Sequence, residues 1–312
     1  MAVLVVLIVV NVVLLFLLFR PDRALTAQPA EQDSRAGGSP PAPTTSPSAS
    51  SDETTISSGA STDPTPSTRP VEPAPADRLL LAVSPQTAWR ATVGDCNTGS
   101  KIERSTNAGA TWKRIVRTGP APIVRLGVEP GGNLFTIGGM GKSCSARYVA
   151  YADDGTVTAS RTNPVDLWFP TPKDRDEING PGETKATPCE GQVIGLAPLN
   201  PSRALVVCDN GAAATTRNSG KTWRQIARIP DTLAVTAGDG QYWVAGAYED
   251  CHGVAVQSLV EKGGTLRRGR IHCAPGLDVA GGQVAIDVTG GTVWLWSGNR
   301  VAVSIDDGRT WK

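Results

Sequence analysis

Between residue 78 and the last residue the chain alternates short apolar runs with clusters of Gly, Pro, Asn and Asp, and no long stretch carries a helical period. Five of these runs centre on a large side chain: TAWRATV on Trp89, NLFTIGG on Phe135, RALVVC on Leu205, QYWVAGA on Trp243 and TVWLWSG on Trp294. A turn precedes each of them: SPQ, EPGGN, LNPS, GDG and TGG. Runs of four to eight residues bounded by such turns predict strands joined by tight connections. The 34 glycines and 24 prolines strengthen that expectation, and the soluble part is expected to be all-β.

A second pattern repeats in step with the first. The octads STNAGATW (105–112), TRNSGKTW (216–223) and SIDDGRTW (304–311) share the frame S/T-x-D/N-x-G-x-T-W, with Asn107, Asn218 and Asp306 at the third position. YADDGT (151–156), with Asp153 and Gly155, is a shorter copy, and VEKGGTL keeps little beyond Gly264. Third positions at 107, 153, 218, 262 and 306 are spaced by 46, 65, 44 and 44 residues, so one unit is about 45 residues long, the size of a four-stranded propeller blade. Five units are visible, and the wide second gap is expected to hold an insertion at 161–191.

The residue types explain the frame. The short Asp or Asn side chain accepts amide hydrogen bonds within its own turn, and Gly109, Gly220 and Gly308 provide positive φ. Trp112, Trp223 and Trp311 then carry a large apolar ring towards the space between adjacent sheets. These octads resemble Asp-boxes, the turns of the BNR-repeat β-propellers, a grouping that includes sialidases, sortilin-type receptors and photosystem II assembly factors. The resemblance covers residues 78–312 and implies a β-propeller, expected to have five four-stranded blades. A five-bladed ring that stops at Trp311 and Lys312 needs closing, and a strand from residues 69–78 is the expected partner of the last blade.

Residues 1–19 are uncharged and apolar apart from Asn11, nearly long enough to cross a hydrocarbon layer of about 30 Å, and predict an uncleaved transmembrane anchor. Residues 20–77, rich in Pro, Ser, Thr and Ala, predict a disordered linker. Arg20 and Arg23 follow the apolar run, which by the positive-inside rule holds that end in the cytoplasm. The stalk and six cysteines point the other way and set the expectation: a single-pass protein of the cell membrane with its propeller on the extracytoplasmic side and a basic leader upstream of Met1. With 30 Lys+Arg against 29 Asp+Glu, no nucleic-acid partner is expected.

Cys96, Cys144, Cys208 and Cys251 follow second strands, Cys189 lies in the insertion and Cys273 in a link between blades, so all six are expected on one face. Fifteen pairings are open to the sequence. Proximity ranks Cys251 with Cys273, Cys189 with Cys208, and Cys96 with Cys144. A zinc site from Cys251, His252, His272 and Cys273 is disfavoured because adjacent residues seldom reach one metal, and no metal or cofactor is expected.

The sialidase branch of the resemblance implies an arginine triad, a tyrosine nucleophile with a glutamate, and an aspartate. Arg228-Ile229-Pro230 falls after an octad rather than before the first one, and the 22 arginines give no obvious triad. Tyr248, Glu249 and Asp250 supply the right side chains consecutively, but neighbours along a strand point in different directions. Trp168 and Phe169, set among prolines in the insertion, are the candidate ligand-contacting pair. The expectation is a monomeric, non-catalytic module binding a protein or cell-envelope glycan, with a sialidase-type glycosidase and an assembly factor for a membrane complex as alternatives.

Overall fold

The computed structural model describes residues 71–116 and 119–312. The expected transmembrane anchor and most of the linker lie outside the described residues. Among the described residues no helix is long and apolar enough to cross a membrane.

Six antiparallel sheets are formed. Sheet A contains β1 (Arg78–Ala82), β2 (Ala88–Thr92), β3 (Ile102–Ser105) and β4 (Lys113–Val116), and sheet B contains β5 (Ile123–Val128), β6 (Leu134–Met140), β7 (Ser145–Tyr151) and β8 (Val157–Thr162). Sheet C is small: β9 (Phe169–Pro170), β10 (Ile178–Gly180) and β11 (Thr184–Ala186). Sheet D has β12 (Val193–Asn200), β13 (Arg203–Cys208), β14 (Ala212–Thr216) and β15 (Arg224–Arg228). Sheet E has β16 (Thr232–Gly238), β17 (Gln241–Gly246), β18 (Gly253–Lys262) and β19 (Thr265–Pro275), and sheet F has β20 (Val284–Thr289), β21 (Thr292–Ser297) and β22 (Arg300–Ser304). First strands pack sheet to sheet, β12 on β16, β16 on β20, β20 on β1 and β1 on β5, while β5 meets β9 and the core of sheet C joins that of sheet D. The ring is a six-bladed propeller with blades of three or four strands.

Six blades correct the expected five. The extra one is the expected insertion, whose strands of two or three residues carry no run of alternating positions long enough to register as strands. The five large landmarks all fall in second strands, and Trp89, Phe135, Leu205, Trp243 and Trp294 are all buried there. Trp168, just before β9, holds the corresponding place in sheet C.

The octads form the same corner three times. Ser105 Oγ donates to Asn107 Oδ1 (3.0 Å), Thr111 N to Asn107 Oδ1 (3.0 Å) and Gly109 N to Ser105 Oγ (2.9 Å). Thr216, Asn218, Gly220 and Thr222 repeat these bonds at 3.0–3.1 Å, as do Ser304, Asp306, Gly308 and Thr310 at 2.7–2.9 Å. Gly109 has φ +82°, and a Cβ there would lie 3.0 Å from Val301 and 3.3 Å from Trp294, so both conformation and space require glycine. The corner tryptophans reach the preceding blade: Trp112 meets Trp294 edge-on at 6.4 Å, Trp223 meets Trp168 at 5.9 Å, and Trp311 packs on the cluster holding Trp243.

The shorter copy differs. Asp154, not Asp153, accepts the turn amide, from Thr156 N at 2.8 Å, while Asp153 ion-pairs with Arg104 at 2.8 Å. The hairpin pairs Tyr151 with Val157, a tighter loop that moves the capping role one residue on. At the worn copy, Gly263 and Gly264 (φ +61° and +78°) form a two-residue turn between β18 and β19.

The expected exchange of strands does not occur among the described residues: sheet F has three strands, and only Lys312 begins a fourth, bonding both ways with Val303. Residues 71–77 run instead past the entry to sheet F, where Asp77 N donates to Gly282 O at 2.9 Å. The ring is joined there by β1 packed on β20 and by Trp294 Nε1 bonding Ser84 O at 3.1 Å.

All six cysteines are paired as ranked: Cys96–Cys144, Cys189–Cys208 and Cys251–Cys273. By strand alternation they share the face where the first strands begin. Their sequence separations are 48, 19 and 22. Removing Cys96–Cys144 by a double Ser variant should therefore destabilise most, by about 4 kcal/mol against about 3 for the others, on the chain-entropy relation. Urea midpoints of the three double variants check the order.

A candidate ligand cavity on the propeller axis

Because the first strands converge on the axis, the side chains they turn inward decide what the centre holds. A cavity of about 410 Å³ follows the axis, lined by all of β1 and β20, by 123–127 of β5, by most of β12 and β16, and by Trp168, Pro170 and Arg175 from the sheet C region. The lining runs from the first to the last residue of β1 and of β20, so the cavity extends along their length. Glycine lets sheets D and E close in around it: a Cβ on Gly195 would lie 2.7 Å from Val235 of the next blade, while Gly127 makes room for the Phe135 ring of its own blade.

Sheet C interrupts the symmetry. The loop after β9 reaches the starts of the first strands, where Asp176 Oδ1 accepts Val193 N at 2.8 Å, whereas Trp168 Nε1 donates to Asn200 O, at the far end of β12, at 3.0 Å. β9 therefore runs opposite to the first strands and has the direction of a second strand. The blade lacks a first strand, and the side of β9 turned to the axis is an open strand edge. Two devices blunt it. Trp168 O accepts a hydrogen bond from Arg125 Nη1, and Pro170, two residues on and facing the same way, has no N–H to offer.

Four charged residues line the cavity. Arg125, in the middle of β5, lies 5.8 Å from the Phe135 ring centre, and burial brings its pKa down to about 10, so it stays protonated at neutral pH. Arg175 bonds Ala76 O; burial lowers its pKa while Asp77 and Asp176 oppose the shift. Arg78 turns its guanidinium away, on to Gly298 O and 4.6 Å above Trp296. Asp287 Oδ2 accepts Ala82 N and its Oδ1 accepts Thr236 Oγ1, both at 2.7 Å, joining sheets F, A and E. Burial raises its pKa to about 6, against the opposing pull of those hydrogen bonds.

Of the candidates from sequence only Trp168 reaches the cavity, and the others fall elsewhere. Trp168 and Phe169, expected on the surface, are 2% and 3% exposed. Phe169 packs with Val124, Ile137 and Tyr148, and Trp168 with Ile178, Val193 and Val206, so the pair pins sheet C between its neighbours. Tyr248, Glu249 and Asp250 occupy the β17–β18 loop without converging. The Tyr248 hydroxyl is buried without a partner, its pKa raised by burial, while Glu249 and Asp250 are exposed. Ile229 of Arg228-Ile229-Pro230 is buried in the link from sheet D to sheet E. The Cys251–Cys273 disulfide uses both sulfurs of the alternative zinc set, and no His, Cys, Asp and Glu cluster suited to a metal occurs among the described residues.

Arg125 and Asp287 were not singled out by sequence, although a signal exists: each is a lone charge inside an apolar strand, IVRLGV and VAIDVT.

No family profile and no curated protein matches the chain. Solved structures do. They include a six-bladed fucose-recognising lectin of Aleuria aurantia, 10% identical over 78% of this chain and 96% of that one, with a TM-score of 0.46. YCF48 bound to a D1 peptide is 16% identical over 78% and 82%, with a TM-score of 0.38. The GH74 xyloglucanase of Xanthomonas campestris is 14% identical over 78% of this chain and 38% of its own, with a TM-score of 0.31.

Proposed function

We propose that this chain is a membrane-anchored, extracytoplasmic binding module whose octads are Asp-boxes and whose ligand, a protein segment or a cell-envelope glycan, docks in the axial cavity from the disulfide-bearing face. The observation that carries the reading is the cavity itself. Its lining residues are mostly aliphatic, with four charged side chains among them, the composition of a recognition site. Its described lining includes no His, Cys, Tyr or Glu and a single carboxylate, Asp287, whereas glycoside hydrolysis ordinarily uses a pair of carboxylates, or a tyrosine in sialidases. The three disulfides on that face support an oxidising compartment.

Affinity capture with the full chain from detergent-solubilised membranes tests the proposal. The wild type should retain a protein or an envelope glycan that an Ala76→Trp variant, blocking the cavity rim, loses. Retention unchanged by the block would overturn docking in the cavity. Turnover of a sialoside or exoglycosidase panel, abolished by Tyr248→Phe, would install the glycosidase instead, and capture of subunits of one membrane complex would favour the assembly factor.

A further inference from the structure

We propose that Arg125 is the anchor for an anionic group, a carboxylate or a phosphate ester, on the ligand that enters the axial cavity beside sheet C. The inference rests on the cavity being the docking site, and it names the chemistry recognised there.

The surroundings of Arg125 carry the argument. Its guanidinium has five N–H donors, and the hydrogen bond to Trp168 O uses one. Among the described residues no carboxylate lies within ion-pair distance of it. Asp287, the one carboxylate in the lining, is on β20, separated from β5 by β1, and is already engaged with Ala82 N and Thr236 Oγ1. A buried cation without a counter-charge is costly, and capping one carbonyl does not call for a charge, because a neutral amide would do it with less desolvation. The place beside it is open, since sheet C has no first strand to fill the axis there. A planar guanidinium with unused, preorganised donors facing a cavity matches the two oxygens of a carboxylate or phosphate. Arg175, at the end of the cavity where the first strands begin, adds a second cation, attenuated by Asp77 and Asp176.

The test follows the Arg Nε–H resonances of ¹⁵N-labelled protein at pH 7 and constant ionic strength, titrated with acetate and, separately, with methyl phosphate. A saturable shift of the Arg125 resonance is expected, and the probe that produces it distinguishes carboxylate from phosphate. Arg125→Gln, which keeps a neutral hydrogen-bond donor without the charge, should weaken ligand capture at least about tenfold while its melting temperature holds or rises, and Arg125→Lys should recover part of the binding. No saturable shift with either anion overturns the proposal, as does capture by Arg125→Gln equal to wild type. In both cases loss of capture in Ala76→Trp leaves the cavity reading standing. If that variant captures normally too, the cavity reading fails with it. Should the Gln variant not fold, the wild-type titration decides alone.

Discussion

Trp294→Ala should destabilise the domain by about 3–5 kcal/mol, the largest effect expected of any single substitution considered. Trp294 lies in the second strand of the last blade and is fully buried among Leu80, Ala82 and Ala88 of the first blade and Ala285, Trp296 and Val303 of its own. It serves four contacts at once. Its ring fills the space between blades, meets Trp112 edge-on, and touches the gap left by Gly109, while Nε1 bonds Ser84 O in the turn after β1. Alanine leaves a cavity at the seam that joins the two ends of the ring and strips a half-buried turn carbonyl of its donor. Trp294→Phe separates the parts: it keeps much of the packing, and the loss of the hydrogen bond to a half-buried carbonyl should account for about 0.5–1.5 kcal/mol. Trp112→Ala should cost less than Trp294→Ala because Trp112 is only partly buried. Urea unfolding of the three variants decides. A loss below about 1 kcal/mol for Trp294→Ala would mean that the seam is held elsewhere.

That seam was only half legible in the sequence. The octads could be found because each uses a fixed set of side chains to satisfy its own backbone, so its function is local and its letters recur. The second-strand landmarks could be found because one large side chain per unit must fill the same wedge between blades. Ring closure is not local. It depends on how β1 meets β20 and on where residues 71–77 run, and no residue type marks either. The sixth blade escapes the sequence for a related reason: it has no first strand, and its strands are too short for periodicity, so Trp168 and Phe169 read as an exposed pair in a loop. In fact Trp168 repeats the contact of Trp294, each donating Nε1 to a carbonyl at or just past the end of the first strand of the next blade.

The electrostatic bolts were equally silent. Glu261, with its side chain 1% exposed, holds Arg203 at 2.9 Å and Arg217 at 2.8 Å, fastening sheet E to sheet D across sequence distances that no motif spans. The cavity residues are intermediate. A single charge within an otherwise apolar strand is visible in the letters, but whether it faces a cavity or a neighbouring sheet depends on the register and on the bulge between Ile123 and Arg125. What the sequence could establish was the repeating wall, and what it could not was the space the wall encloses.

Asp287→Asn should raise stability by about 1–3 kcal/mol at pH 7.5 and leave it nearly unchanged at pH 4. The sign follows from the folded carboxyl titrating at about 6, above the 3.8 of an ordinary aspartate. Between those values the folded chain holds a proton that the unfolded chain has released, so stability falls as pH rises from about 4 to about 6 and levels off above 7. The full difference corresponds to about 3 kcal/mol. Asparagine removes the charge but keeps the joints, because Oδ1 can accept Ala82 N and Nδ2 can donate to the Thr236 hydroxyl. Asp239, which adds to the rise, is itself held by Gly290 N at 2.9 Å and Gly291 N at 2.8 Å and remains in the variant. Asp306 gives an internal contrast. Turn hydrogen bonds, Thr310 N foremost, hold its pKa down to about 2, so its contribution is lost only as pH falls below about 4, outside the window of Asp287. Urea midpoints of the wild type and the variant from pH 4 to 8 should therefore diverge as pH rises, and parallel curves would show that Asp287 titrates as an ordinary carboxylate. A divergent pair would establish that this wall of the cavity keeps an ionised group at neutral pH against the stability of the fold, leaving a fixed negative charge and, at Arg125, a fixed positive one on different sides of the same space.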